Sequence, residues 1–134
     1  MSGFESTFNI RAERLDGVVR LHTAGDLDIA VAHVLDAALA FVETLEPATI
    51  VLDFKDLQFI DSSGLHALVR AHERANQAGR MLVVLNGGDG VRRVFELTGL
   101  NHMFEPAIVP DSQLASTGDG HGWTPIAIPR AVSG

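Results

Sequence analysis

The sequence of 134 residues contains no cysteine, which excludes disulfide frameworks, thiolate metal sites and cysteine nucleophiles. No basic segment followed by an apolar run stands near its start, and no apolar stretch is long enough to cross a bilayer. Positive charge is also scarce, since 10 lysine and arginine residues face 17 aspartate and glutamate residues, for a net charge of −7. Because an acidic surface repels phosphate backbones, we expect a protein that binds neither nucleic acid nor membranes. The lack of cysteine suits a reducing compartment, so we expect the protein in the cytoplasm.

Hydrophobic residues make up 46% of the chain, which is enough for one core in a domain of this size. After Pro110 the composition changes to serine, threonine, glycine and aspartate, which is typical of a segment without a core. We therefore expect one domain over residues 1–110 and a flexible C-terminal tail over residues 111–134. Residues 123–129 of this tail are locally apolar, and the sequence leaves open whether they dock on the domain or stay loose.

The hydrophobic pattern alternates between the period of a strand and the period of a helix. It begins with two strands around the hairpin signal Asp16-Gly17, and Asp28 stands where the N-cap of the first helix is expected. The predicted strands cover residues 8–15, 18–23, 49–54, 81–85 and 104–109, and the predicted helices cover residues 29–45, 62–78 and 91–98. This order predicts an α/β fold, with a mixed β-sheet, an N-terminal hairpin and helices packed on the sheet.

The segment Asp61-Ser62-Ser63-Gly64 follows a predicted strand and opens a predicted helix, which is where functional residues of α/β proteins tend to lie. Either Asp61 or Ser62 can cap this helix, so the free N–H groups of its first turn lie beside two hydroxyl groups. The positive end of the helix dipole favours a phosphate group on Ser62. Capping preferences alone explain the same segment as an ordinary helix start, and both interpretations stay open at this point.

Other kinds of site find little support in the residue pattern. Ser62 and His66 lie one helical turn apart, but a hydrolase also needs a nucleophile elbow and an acid that orients the histidine, and the sequence supplies neither. The six histidines show no metal-ligand spacing, and the glycine-rich turn at residues 86–90 matches no nucleotide-binding motif. We therefore predict no catalytic residue, no metal site and no cofactor, and a binding protein rather than an enzyme.

Four segments of the chain, in order and at family spacing, resemble the STAS-domain family of anti-sigma-factor antagonists. They are Gly25-Asp26-Leu27-Asp28-Ile29-Ala30, Ile50-Val51-Leu52-Asp53-Phe54, Phe59-Ile60-Asp61-Ser62-Ser63-Gly64-Leu65 and Val91-Arg92-Arg93-Val94-Phe95-Glu96-Leu97-Thr98-Gly99-Leu100. The resemblance covers residues 8–109 and implies a STAS-type single domain.

The resemblance also implies a regulatory function in transcription under stress, through partner switching. Members of the family bind an anti-sigma factor that is a serine kinase of the GHKL ATPase type, and this binding frees a sigma factor. The kinase phosphorylates the serine that follows the motif aspartate, here Ser62, and a PP2C-type phosphatase reverses the modification. The unphosphorylated chain is thus expected to be the active form.

The expected partner-binding residues surround Ser62 and the Gly-acid-Leu-Asp motif. The second acidic residue of that motif, Asp28, is implied to lie at the kinase interface and to pair with a basic residue there. His66 occupies a position that is often small in the family, and we expect it to contact a partner. The full set is Asp26, Asp28, Asp61, Ser63, Gly64, Leu65 and His66.

A second hypothesis, of a different class, is a STAS-type scaffold or ligand-sensing module without a phosphorylation cycle. In that case Asp61 and Ser62 only cap the helix, and the sheet edge or the apolar part of the tail binds the partner. A protein partner that tolerates Ser62→Asp would favour this hypothesis.

Overall fold

The computed structural model describes residues 8–85, 88–100 and 122–128, which contain five strands and three helices. The strands are β1 (Asn9–Leu15), β2 (Val18–Leu27), β3 (Thr49–Ile60), β4 (Met81–Leu85) and β5 (Thr124–Ile126). The helices are α1 (Ala32–Glu43), α2 (Ser62–Ala78) and α3 (Asp89–Thr98). None of the helices in these ranges is long and apolar enough to span a membrane.

The strands form one mixed sheet in the order β4-β3-β2-β1-β5. β1 and β2 are the predicted antiparallel hairpin, and Asp16 turns the chain between them with a φ of 52°. β2, β3 and β4 are parallel neighbours, and α1 and α2 supply the crossovers that parallel strands require. The predicted α/β fold, a mixed sheet with an N-terminal hairpin and packed helices, is therefore confirmed.

The helices cover one face of the sheet and form the core with it. Buried side chains of all three helices join one cluster with every second residue of the strands, for example Leu21, Leu52 and Val84. Phe95 of α3 meets Phe54 of β3 edge to face, with ring centroids 6.4 Å apart. This packing positions β3, which leads directly into α2.

β3 is longer than the sequence pattern predicts, because residues 55–60 continue it beside the second half of β2. The pairing register shifts between His22 and Ala24 and again between Gly25 and Asp26. As a result Phe54, Leu57 and Ile60 face the core at intervals of three residues instead of two.

Parts of the predicted layout lie outside the described residues. The strand predicted at 104–109 is one of them, and so are residues 111–121 and 129–134 of the predicted tail. Within the same tail, residues 124–126 form β5 and pair with β1.

Candidate functional site

The parallel strands β2 and β3 end side by side, which brings two separate chain segments together at one end of the sheet. Leu27 pairs with Ile60, and the backbone N–H of Asp61 donates to the carbonyl oxygen of Leu27 at 3.1 Å. The loop after β2 and the first turn of α2 therefore meet at this end. Asp26 and Asp28 lie at the same end of the sheet as Asp61.

The Asp61 carboxylate caps α2 and also ties the loop after β2 to that helix. Its Oδ1 accepts hydrogen bonds from the backbone N–H groups of Ser63 at 2.9 Å and Gly64 at 3.3 Å. Its Oδ2 accepts one from the N–H of Ile29 at 3.2 Å. Asp61 is thus the N-cap that the sequence allows, and its negative charge lies at the positive end of the helix dipole.

Ser62 is the first residue of α2, and it is exposed. The N–H groups of the next two residues, Ser63 and Gly64, already donate to Asp61. The first turn of α2 therefore presents an exposed serine next to the Asp61 carboxylate, which already accepts the N–H groups of the two following residues.

The prediction that Asp28 caps α1 is wrong. The N-cap of α1 is Val31, which makes no side-chain cap, and the helix begins at Ala32. Asp28 instead accepts the N–H of Ala30 on its Oδ1 at 3.0 Å, and its backbone carbonyl accepts those of Val31 and Ala32. An aspartate that bonds to the backbone two residues ahead forms a turn of its own, which delays the start of the helix.

Two of the predicted partner-binding residues are buried and have a packing role in this structure. A Cβ atom on Gly64 would lie 2.7 Å from Cγ of Leu27 and 2.9 Å from Cγ1 of Ile60, so only glycine allows the first turn of α2 to approach both strands. Leu65 is 8% exposed and belongs to the core. Any contact they make with a partner stays a prediction.

The exposed residues at this end of the sheet combine acidic, polar and apolar side chains. Of the predicted set, Asp26 and His66 are exposed, whereas Asp28, Asp61 and Ser63 are half-buried. Ile29 is 77% exposed and Phe59 is 49% exposed, although both are large hydrophobic residues. Ile29 is not among the predicted partner-binding residues, because the apolar pattern places it inside the first helix.

The contacts give no support to a hydrolase or a metal centre. Among the hydrogen bonds of the described residues, none joins Ser62 to His66, and none places an acid on His66. Within the same residues, no group of three histidine, aspartate or glutamate side chains has the geometry to hold a metal ion.

Known proteins resemble this chain over most of its length. The anti-sigma-B factor antagonist of Listeria monocytogenes is 29% identical over 93 residues, which are 69% of this chain and 82% of that protein. The anti-sigma-F factor antagonist RsfB of Mycobacterium tuberculosis is 32% identical over 89 residues, which are 66% of this chain and 72% of that protein.

A solved structure shows the same architecture. The crystal structure of an anti-sigma factor antagonist from Mycobacterium paratuberculosis superimposes with a TM-score of 0.69 and 28% sequence identity, and it covers 82% of this chain and 93% of that one. The family model of the STAS domain matches residues 9–115, which include the whole end of the sheet around Ser62. The chain therefore belongs to the STAS domain family.

Proposed function

We propose that this protein is an anti-sigma-factor antagonist of the cytoplasm that is switched off by phosphorylation of Ser62. In its unphosphorylated form it binds an anti-sigma factor that is a GHKL-type serine kinase, and it thereby releases a sigma factor. A PP2C-type phosphatase restores the active form. The names of the two relatives and of the similar solved structure support the antagonist role, which is a binding role and not a catalytic one.

The observation that carries the proposal is the exposed Ser62 at the start of α2, directly after the Asp61 carboxylate that caps the helix. A phosphate on Ser62 adds a charge of about −1.5 to −2 and three acceptor oxygens. Because the N–H groups of Ser63 and Gly64 already donate to Asp61, they are not free to neutralise this charge. Phosphorylation therefore adds a second negative group beside the Asp61 carboxylate, at a position where the unmodified serine carries no charge.

The same end of the sheet has the composition of a docking surface. The exposed side chains of Ile29 and Phe59 offer apolar area, and Asp26 offers a negative charge for a basic residue of the partner. A dianion at the centre of such an interface is costly to desolvate unless the partner supplies cations. A loss of about 1.4 kcal/mol weakens binding tenfold, so a moderate penalty is enough to release the kinase.

The test uses the full chain, ATP and a candidate anti-sigma-factor kinase of the GHKL type from the same organism. We expect phosphate on Ser62 in the wild type and in the matched control Ser63→Ala, and none in Ser62→Ala, by mass spectrometry. Ser62→Asp should bind the kinase about tenfold or more weakly, whereas Ser62→Ala should bind like the wild type. Equal phosphorylation of Ser62→Ala, or unchanged binding of Ser62→Asp, contradicts the proposal.

A further inference from the structure

Residues 122–128 lie beyond the part of the chain that matches the family, which ends at residue 115. They nevertheless contact the domain, because β5 pairs antiparallel with β1 and forms one edge of the sheet. The pairs are Ala12 with Ile126, Glu13 with Pro125 and Arg14 with Thr124. We call residues 122–128 the strap.

One side of the strap closes the hydrophobic core. Ile126 lies opposite the buried Ala12, and both Ile126 and Ile128 pack against the core cluster. Ile10, farther along β1, packs against the same cluster. Alternate residues of the strap therefore place apolar side chains against the core along the outer edge of β1.

On the opposite face of the sheet, the strap contacts the positively charged side chain of Arg20. The guanidinium carbon of Arg20 lies 4.4 Å from the ring centroid of Trp123. Arg20 is fixed in this position by Glu13, whose Oε2 accepts hydrogen bonds from Nε at 3.0 Å and from Nη2 at 2.8 Å. The indole thus has a preformed partner on β2.

The strap is attached to the domain by few hydrogen bonds. Its ladder has only three residue pairs. The indole N–H of Trp123 is buried and finds no acceptor among the described residues. Thr124 and Pro125 are exposed. A segment with few backbone bonds and an unpaired buried donor opens more easily than the strands beneath it.

We propose that the outer edge of β1, the edge that faces away from β2, is a docking site for an extended peptide. The strap of the same chain occupies this site and can be released from it. Trp123 on Arg20 and Ile126 on the core are the two anchors. While the strap is docked, it covers the N–H and C=O groups of β1 that would otherwise pair with another strand. Pro125 stops the sheet from growing further on that side.

The test follows the strap by its own fluorescence, since Trp123 is the only tryptophan and the chain has no tyrosine. In the full-length variant Ile126→Asp we expect the emission to shift to longer wavelength and the amides of Ala12 and Arg14 to exchange faster with solvent. The matched control is Ala127→Asp, which adds the same charge one residue away at an exposed position and should leave both signals unchanged.

A labelled peptide with the sequence of residues 122–128 tests the docking site directly. It should bind Ile126→Asp and Trp123→Ala, but bind the wild type about tenfold or more weakly, because the tethered strap competes at a high effective concentration. A control peptide with aspartate in place of Ile126 should bind none of them. Circular dichroism establishes that each variant is folded.

Three results would overturn the proposal. The first is unchanged fluorescence and exchange in Ile126→Asp, which would mean that the strap is not held by this anchor. The second is equal binding of the peptide to the wild type and both variants, or to none of them. The third is that the folded variants form a dimer and bind no peptide. In that case the outer edge of β1 would bind a second copy of the chain.

Discussion

Gly64 shows at the scale of one residue how the helix start is brought to the sheet. Its missing side chain leaves room for Leu27 and Ile60, which lie where a Cβ atom would otherwise be. We predict that Gly64→Ala lowers the free energy of unfolding by about 1–3 kcal/mol, because overpacking forces α2 away from the two strand ends. Urea denaturation followed by circular dichroism measures this loss.

The control for this substitution is Gly90→Ala in the first turn of α3. A Cβ atom there meets its nearest neighbour, the carbonyl oxygen of Gln58, at an ordinary distance of 3.8 Å. Alanine is also the better helix former, so this variant should be as stable as the wild type or slightly more stable. If Gly64→Ala and Gly90→Ala change the free energy of unfolding equally, the close approach of Leu27 and Ile60 does not explain the need for glycine at position 64.

Single residues of the site were partly predictable from the sequence. The spacing gave Asp61 as a possible cap and Ser62 as the first residue of a helix, because capping chemistry is local. The same reasoning failed for Asp28, since an aspartate before an apolar helix can cap the helix or form its own turn. The exposure of Ile29 could not be predicted either, because it depends on where α1 begins.

At the scale of elements, three strands share a cluster of charged groups on the face of the sheet away from the helices. His22 of β2 lies between two carboxylates, with Nε2 2.8 Å from Oε2 of Glu13 and Nδ1 3.1 Å from Oδ2 of Asp53. Both ring nitrogens can donate at once only when the imidazole is protonated. Lys55 of β3 lies 3.4 Å from the same Asp53 oxygen.

This cluster lowers the pKa of two carboxyl groups. Burial alone would raise the pKa of Asp53, but hydrogen bonds from His22 and from the backbone of Lys55, together with their charges, outweigh it. Burial likewise opposes the shift at Glu13, whose pKa is lowered by His22 and Arg20. A carboxyl group with a lowered pKa in the folded state contributes stability above its ordinary pKa, and this contribution is lost as the pH falls through the folded value.

We therefore predict that the free energy of unfolding declines as the pH is lowered below about 4. Asp53→Asn removes the charge that His22 and Lys55 face, so it should cost about 1–3 kcal/mol at neutral pH and flatten the decline in acid. Denaturation curves at several pH values measure both effects. The exposed Asp56 on the same strand provides the control Asp56→Asn, which should leave the acid decline intact. A decline of unchanged slope in Asp53→Asn would show that other groups cause it.

Elements were easier to predict than their ends. α2 and β4 have the predicted bounds, because their apolar periods are regular and Gly79 stops the helix with a φ of 71°. The second half of β3 was not predicted, since its core-facing residues follow an interval that depends on the register shifts of β2. Such shifts belong to the pairing of two distant segments and leave no local mark in the sequence.

At the scale of the whole molecule, the net charge of −7 acts on any basic partner before contact is made. Its effect is local where the acids are clustered, since charges farther apart than about 8–10 Å are screened at physiological salt. Asp26 lies at the end of β2 beside Ser62's helix, whereas Asp16 lies in the turn before β2, about 25 Å away along the strand. Both aspartates are exposed, so substituting each of them in turn distinguishes the effect of local charge from the effect of total charge.

We predict that association with the basic face of the proposed kinase partner slows as salt is raised from about 0.05 M to about 0.5 M. Asp26→Asn should reduce the association rate about two- to fivefold at low salt and make its salt dependence shallower. Asp16→Asn changes the net charge equally and suits the positive φ of its turn, so it should leave the rate close to that of the wild type. Stopped-flow measurements on both variants decide the matter. Equal slowing by the two substitutions would assign the steering to total charge, and the end of the sheet around Ser62 would lose its special role in the encounter.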